Sequence, residues 1–199
     1  MPTGVAIRDV REQLFDAAER VLLRSGQGGL TSRAVTTEAG CAKGVLHRHF
    51  RDFDAFLAEL VLDRIGRMDS QAAALRAAAG TGTVAGNLTS ALTALFGSVA
   101  VAIVGLLTSR DKLRARLRES VPAGVPVLTE GAVMIASYLA AERDLGRIAS
   151  DADVDSLAPM LVGTVHLLAV GRDDGPPPED AVRTAVATVI AGLERSPQR

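Results

Sequence analysis

The sequence predicts an all-α protein. Its 199 residues are 48% hydrophobic and 23% charged, which is enough apolar material for a buried core. Only 3% of the residues are aromatic, so Val, Leu and Ala supply that core, and a chain rich in Ala, Leu and Arg favours helices. Apolar residues recur at helical spacing, and no alternation with a period of two is long enough to predict a strand.

Three helices are predicted near the N-terminus. The first covers about 7–25 and ends in a glycine-rich segment. The hydroxyl of Thr31 or Ser32 can cap a short second helix by accepting from its free N–H groups. After a glycine-containing turn, a third helix is expected to start near Ala42 or Lys43. Two short helices around such a turn are typical of a helix-turn-helix.

The rest of the chain predicts six further helices separated by Gly- and Pro-containing segments. They are expected at about 53–79, 84–109, 112–120, 127–142, 153–170 and 179–195. The helix over 84–109 contains an uncharged stretch at 91–107, which is shorter than a membrane span and predicts a buried core helix. The N-terminus lacks the apolar run of a signal peptide, so we expect a cytoplasmic protein with no membrane partner.

The charge of the chain is nearly balanced overall but locally basic. The formal net charge is −1, which argues against binding to a polyanion by bulk electrostatics. Between residues 31 and 51, however, cations outnumber the single anion. They are Arg33, Lys43, Arg48 and Arg51, against Glu38. A basic helix-turn-helix in a neutral chain indicates DNA binding, although these cations could also belong to an ordinary solvated surface.

Enzymatic chemistry is not expected. The single cysteine, Cys41, excludes an intramolecular disulfide and fits a reducing compartment. It has no neighbours typical of a nucleophilic site, and a packed cysteine is the better interpretation. His47 and His49 are two residues apart, about 200° around a helix, so they cannot hold one metal ion together. We therefore expect no catalytic residue, no metal and no cofactor.

The segment 39–50, AGCAKGVLHRHF, closely resembles the signature of the TetR/AcrR family of bacterial transcription regulators. That signature is about A-G-V-S-x-G-x-L-Y-x-x-F, and the resemblance extends over about the first quarter of the chain. It implies a helix-turn-helix DNA-binding domain at 1–53 and a helical effector-binding and dimerisation domain at 54–199. The implied function is a DNA-binding transcriptional regulator, specifically a ligand-responsive repressor that binds a near-palindromic operator as a homodimer.

The resemblance also implies roles for single residues of the helix-turn-helix. Arg and Lys can contact base edges, Val45 can touch a thymine methyl, and Gly44 leaves room for the DNA backbone. Phosphates can be contacted by hydroxyl groups, by imidazole and by further cationic groups. Such contacts set the register of the protein on the DNA. The implied DNA contacts are Thr31, Ser32, Arg33, Lys43, Gly44, Val45, His47 and Arg48.

Four positions depart from the family pattern. Ala42 replaces the usual Ser or Thr, His47 replaces Tyr, and Phe53 stands where Lys is frequent. Thr36 replaces the usual Ala of the second helix. The loss of phosphate contacts at two of these positions keeps a second hypothesis open, a helical ligand-binding or interaction protein with weakened DNA binding. An activator without effector release is a further alternative.

For the C-terminal part, the resemblance implies a ligand pocket and a dimer interface. The expected pocket residues are Phe96, Val99, Ile103, Met134, Tyr138, Met160, Thr164 and His166, with ordinary core packing as the alternative for each. No buried charge is predicted, which favours a small hydrophobic effector. Apolar stripes at 157–168 and 182–193 must cover either their own core or a partner, and we expect the partner.

Overall fold

The computed structural model describes residues 4–97, 99–118, 120–121, 124–170, 172, 176–191 and 193, with side chains from Val10 onward. Ten helices lie in this described part: α1 (Gly4–Gly29), α2 (Ser32–Glu38), α3 (Val45–His49), α4 (Phe53–Ala77), α5 (Val84–Phe96), α6 (Ala100–Ser109), α7 (Asp111–Leu117), α8 (Leu128–Asp144), α9 (Val154–Ala169) and α10 (Glu179–Val189). No strand occurs in the same ranges, and the predicted all-α fold is confirmed.

The first three helices lie where they were predicted, with different bounds. Near its end α1 is broken at Gly26, where φ is 61°. The third helix begins at Val45, so the predicted start at Ala42 or Lys43 is wrong. Ala42 has no side-chain oxygen to accept from the N–H groups of a first turn, which leaves the backbone in a turn as far as Gly44.

The single helix predicted over 84–109 is also wrong. The structure has two helices there: α5 ends at Phe96 and α6 begins at Ala100. Gly97 forms the C-terminal cap of α5, and glycine is the poorest helix former after proline. No single helix in the described part is long and apolar enough to cross a membrane; α5 and α6 meet that criterion only as a bent pair, by length and composition.

The later helices agree with the sequence at their starts. Asp153 caps α9 by accepting from the backbone N–H of Ser156 at 3.1 Å, as expected for an Asp at this position. The last helix begins at Glu179 and ends at Val189, short of the predicted end at 195. Part of that predicted extension lies outside the described residues.

The chain forms two compact units. Unit 1 contains Met1–Asp63 and Ala102–Ala123, and unit 2 contains Arg64–Val101 and Gly124–Arg199. The sequence-based functional division after residue 53 is not tested by this geometric division, and it remains a prediction.

The core of unit 1 holds the helix-turn-helix in place through aromatic rings. Leu46 of α3 and Phe50, the residue that caps its C-terminus, are buried, as expected for apolar residues four positions apart. The ring of Phe50 lies 5.8 Å from Phe15 of α1 and 4.9 Å from Phe56 of α4. Phe53 stacks on Phe56 at 5.7 Å. The third helix is therefore fixed to α1 and to the start of α4.

In unit 2 the apolar stripes of the last two helices face their own core. Val182, Val186 and Ile190 of α10 are almost fully buried, and so are Leu161 and Val165 of α9. The sequence left open whether these stripes cover a core or a partner. For these five residues the expectation of a partner is wrong, because neighbouring helices of the same unit already remove them from solvent.

Candidate nucleic-acid interface and ligand cavity

The second helix is capped at its start by Thr31. This residue has extended backbone angles, and its hydroxyl oxygen accepts from the N–H of Ala34 at 3.1 Å. The hydroxyl of Thr36, which replaces the family's Ala, is buried and donates to the carbonyl oxygens of Ser32 and Arg33. The extra hydroxyl is therefore satisfied within its own helix. Within the described part, the buried Ser32 Oγ has no hydrogen-bond partner.

The turn between α2 and α3 depends on a glycine. Gly40 has a φ of 65°, a backbone conformation that residues with a side chain rarely adopt. The N–H of Cys41 then donates to the carbonyl of Thr36 at 3.0 Å, which closes the end of α2. The side-chain amide of Gln13 donates to the carbonyl of Ala39 at 3.1 Å and ties this turn to α1.

The residues predicted to contact DNA lie mostly on the surface of this motif. Lys43 and Gly44 lie in the turn before α3, and His47 and Arg48 lie on α3. Their burial follows the pattern of a helix with one packed and one open face. The exposed members of the set are Thr31, Arg33, Lys43, Gly44, His47 and Arg48, and the half-buried ones are Ser32 and Val45. Their roles in DNA contact remain predictions.

The charge distribution leaves this surface basic. Glu38, the single anion of the motif, accepts from Arg20 at 2.8 Å and pairs with Arg24 at 2.9 Å. These hydrogen bonds hold the pKa of Glu38 below its ordinary value. By contrast, Lys43 and Arg48 form no ion pair with any residue that the structure describes. They are available for phosphates or bases.

Arg11 of α1 has contacts within unit 1. Its guanidinium forms an ion pair with Glu59 of α4 and lies 4.5 Å from the ring centre of Phe50. It also donates to the carbonyl of His49 at 3.5 Å. These contacts brace the end of the third helix between α1 and α4.

Two arginines that sequence reasoning missed fix the other side of unit 1. Arg116 of α7 donates with both terminal nitrogens to Asp52, at 2.8 and 3.2 Å. Asp52 also caps α4 by accepting from the N–H of Ala55 at 2.7 Å. Arg110 lies 3.6 Å from Asp54 and 5.7 Å from the ring centre of Phe53. Phe53, which replaces a family Lys, thus gains a structural role.

Replacing Asp52 by Asn will lower stability at neutral pH. The hydrogen bonds from Arg116 and Ala55 hold the pKa of Asp52 well below its ordinary range. A carboxyl whose pKa is lowered on folding stabilises the fold at pH values above its pKa in the unfolded chain. That contribution is lost as the pH falls through its pKa in the folded protein. Asn keeps the helix cap but not the charge. The difference in Tm between wild type and Asp52→Asn is therefore expected to be larger at pH 7 than at acidic pH.

Melting curves at pH 7 and at lower pH measure this difference. It is expected to narrow as the pH falls below about 3.9, the ordinary pKa of Asp. The matched control is Asp69→Asn at an exposed position of α4. A constant difference between wild type and Asp52→Asn at every pH would show that the ion pair contributes nothing.

Unit 2 contains a cavity of about 280 Å³ among α4, α5 and α8. Most of its lining is apolar and small, and alanine is its commonest residue. The lining residues are Gln71, Ala74, Leu75, Ala78, Asn87, Ser90, Ala91, Ala94 and Met134. Of the predicted pocket residues, only Met134 is among them.

A chain of hydrogen-bonded polar groups begins at this cavity. The side-chain amide of Asn87 donates to the hydroxyl of Tyr138 at 3.0 Å, and Tyr138 donates to Glu142 at 2.5 Å. Glu142 is fully buried, accepts from the N–H of Gly80 and lies 3.4 Å from the guanidinium of Arg147. Burial, and then the hydrogen bond to Glu142, raise the pKa of Tyr138 well above its usual range.

This network corrects a premise of the sequence analysis. No buried charge was expected, yet the carboxylate of Glu142 is completely removed from solvent. The pattern of α8 gave little warning, because Glu142 is followed by Arg143 and Asp144 and looks like part of an exposed helix end. The signal that could have found it is its spacing of four residues from Tyr138, which places the two side chains on one face.

The remaining predicted pocket residues do not form one group. Phe96 and His166 are in contact, with ring centres 5.9 Å apart. Nδ1 of His166 is buried without a hydrogen-bond partner in the described part, and burial lowers the pKa of this imidazole. Met160 is 55% exposed, and Thr164 donates to the Met160 carbonyl on the same helix. Val99 is buried, whereas Ile103 belongs to unit 1.

Comparison with known proteins agrees with this arrangement. Residues 14–60 match the family model described as bacterial regulatory proteins, tetR family. No curated protein matches the sequence.

Three solved structures illustrate the similarity of the fold. A TetR-family transcriptional regulator from Agrobacterium tumefaciens is 13% identical with a TM-score of 0.71, over 94% of this chain and 99% of that one. The regulator FadR from Bacillus subtilis, in complex with stearoyl-CoA, is 20% identical with a TM-score of 0.66, over 92% and 99%. A regulator from Saccharomonospora viridis, in complex with choline, is 17% identical with a TM-score of 0.69, over 95% and 100%.

Residues 14–60 are thus similar to the helix-turn-helix domain of bacterial regulatory proteins, and the chain shares its helical fold with solved transcriptional regulators. The resemblance to the TetR family is confirmed by the match over residues 14–60 and by the structures that share the fold.

Proposed function

We propose that this protein is a DNA-binding transcriptional regulator, specifically a ligand-responsive repressor that binds a near-palindromic operator as a homodimer. The observation that carries the DNA part of the proposal is the exposed basic surface of the helix-turn-helix. Its cations Arg33, Lys43 and Arg48 have no ion-pair partner in the described part, while its single anion is paired with two arginines. Such a surface supplies both phosphate neutralisation and base contacts.

Operator binding is tested by fluorescence anisotropy with the DNA upstream of its own gene, against a scrambled sequence, over a series of salt concentrations. The proposal expects selective binding with a steep salt dependence. A promoter fused to a reporter then distinguishes repression from activation. Equal, weak binding to both DNAs, and to sequences from a random pool, would favour a helical ligand-binding protein with weakened DNA contacts.

The proposed dimer contact is an exposed apolar stripe on α9. Met160, Gly163 and Leu167 are spaced three and four residues apart, so they share one face of the helix. Leu167 is 76% exposed and Met160 is 55% exposed, which is unfavourable in water. Beside this stripe lies a groove of about 350 Å³ that includes Pro159. A second copy of the chain would cover both.

Replacing Leu167 by Glu is expected to convert the dimer to a monomer. A carboxylate at a closely packed apolar contact loses its hydration without gaining a partner, which costs several kcal/mol. The oligomeric state is measured by analytical ultracentrifugation. The control is Leu23→Glu, a leucine of α1 that is 62% exposed. A dimer that survives Leu167→Glu would mean that another face forms the contact.

The proposed mechanism is a shift of population. The dimer without effector presents its two recognition helices about one DNA turn apart, and the effector favours a state with a different spacing. The capacity of two proteins of the same fold to bind stearoyl-CoA and choline supports an effector site in this fold. The chain passes between the two units within α4 and α6, so these helices are the proposed route of coupling.

A further inference from the structure

The cavity among α4, α5 and α8 has a lining that selects for one kind of ligand. Four of its residues are alanines, and Leu75 and Met134 add larger apolar surfaces. Among the described residues, no lining side chain carries a charge. A ligand with a net charge would lose hydration there without gaining an ion pair, whereas an apolar body would be stabilised by burial.

The same lining contains three neutral side chains that can hydrogen-bond. Gln71 and Ser90 are exposed, while Asn87 is half-buried. The amide nitrogen of Asn87 lies 2.9 Å from the carbonyl of Thr81 and 3.0 Å from the hydroxyl of Tyr138. A third contact joins the same nitrogen to the carbonyl of Ala78 at 3.3 Å. Together the three contacts occupy its N–H groups and fix the amide, which leaves the amide oxygen Oδ1 as an acceptor of defined position for a ligand.

We propose that this cavity binds a small, uncharged, mainly apolar molecule that carries a hydroxyl group, and that Oδ1 of Asn87 is the acceptor for that hydroxyl. The proposal rests on the proposed function of the C-terminal part as the effector-binding region. The volume of about 280 Å³ lies at the lower end of the range of ligand sites, which limits the occupant to about the size of one fused ring pair.

Binding of 2-naphthol tests this inference. It is uncharged at pH 7, has an apolar bicyclic body and one hydroxyl, and is fluorescent. The chain contains no tryptophan, so the emission of the probe is measured with little background from the protein. Titration of the full-length protein is expected to give saturable binding. The charged analogue 2-naphthoate is expected to bind at least about tenfold more weakly, because its carboxylate finds no cation in the lining.

Two neighbouring alanines of α4 provide a matched pair of variants. Ala74 lines the cavity and is exposed, so Ala74→Leu fills the space without entering the core. Ala73 is equally exposed and is not among the lining residues. We expect Ala74→Leu to weaken 2-naphthol binding at least about tenfold and Ala73→Leu to leave it unchanged. Circular dichroism and melting curves show that both variants fold.

Either of two results would overturn the inference: no saturable binding of 2-naphthol, or binding that Ala74→Leu does not weaken. Preference for 2-naphthoate would overturn the assignment of an uncharged ligand. Operator binding is measured on the same protein without any probe, which separates the two proposals. If DNA binding is intact and 2-naphthol does not bind, only the cavity assignment fails; if the probe binds and DNA does not, the repressor proposal fails.

Discussion

A chain that carries both Lys43→Ala and Arg48→Ala is expected to bind its operator at least about 100-fold more weakly than the wild type. A good bidentate contact to a base contributes about 1–3 kcal/mol, and a phosphate contact adds a salt-dependent share. Both side chains are exposed on the helix-turn-helix, and neither forms an ion pair within the described part of unit 1. Their removal therefore costs binding without disturbing the packing of α3.

Anisotropy titrations at two or more salt concentrations measure this loss, and the slope of log affinity against log salt is expected to fall for the variant. Lys112→Ala, at an exposed position of α7, removes a cation from the same unit and is the matched control. An unchanged affinity of the double variant, with the Tm also unchanged, would show that DNA does not use this face.

The largest loss of stability is expected from Glu142→Ala. This change removes the acceptor of Tyr138 and of the Gly80 N–H, and it leaves the guanidinium of Arg147 without its carboxylate partner. Unsatisfied buried groups and a broken ion pair together cost about 2–4 kcal/mol in the free energy of unfolding. Arg147 is 28% exposed, so water can recover part of that cost.

Urea unfolding at pH 7 measures the change. Asp144→Ala, two residues further along α8 and exposed, is expected to change the free energy of unfolding by less than about 0.5 kcal/mol. Glu142→Gln is expected to lie between the two, since the amide oxygen still accepts from Tyr138. If Glu142→Ala is no more destabilising than Asp144→Ala, the network has no role in holding the turn between α4 and α5.

The sequence predicted those features that depend on neighbouring residues. Apolar spacing placed most helices, and the caps at Thr31 and Asp153 followed from the hydroxyl and carboxylate groups beside them. The helix-turn-helix was predicted well because its residues lie within a short segment. Leu46 and Phe50, four positions apart, indicated the buried face of α3 directly.

Features that join distant segments were not predicted. The pairs Asp52–Arg116 and Asn87–Tyr138 span 64 and 51 residues, and no local pattern identifies such partners. The cavity was not predicted for the same reason, since Gln71 and Met134 meet only through the packing of their helices. Local propensity also failed near Gly97, where a continuous apolar pattern conceals the boundary between two helices.

Unit 1 is built from two separate stretches of the chain, and this has a consequence for its synthesis. The carboxylate that caps α4 obtains its guanidinium partner from α7, far along the message. A ribosome that has released only the helix-turn-helix has not yet made Arg110 or Arg116, so the nascent segment lacks its final contacts until α7 has emerged. A transcript cut short between α4 and α7 would therefore yield a fragment whose helix-turn-helix is poorly anchored.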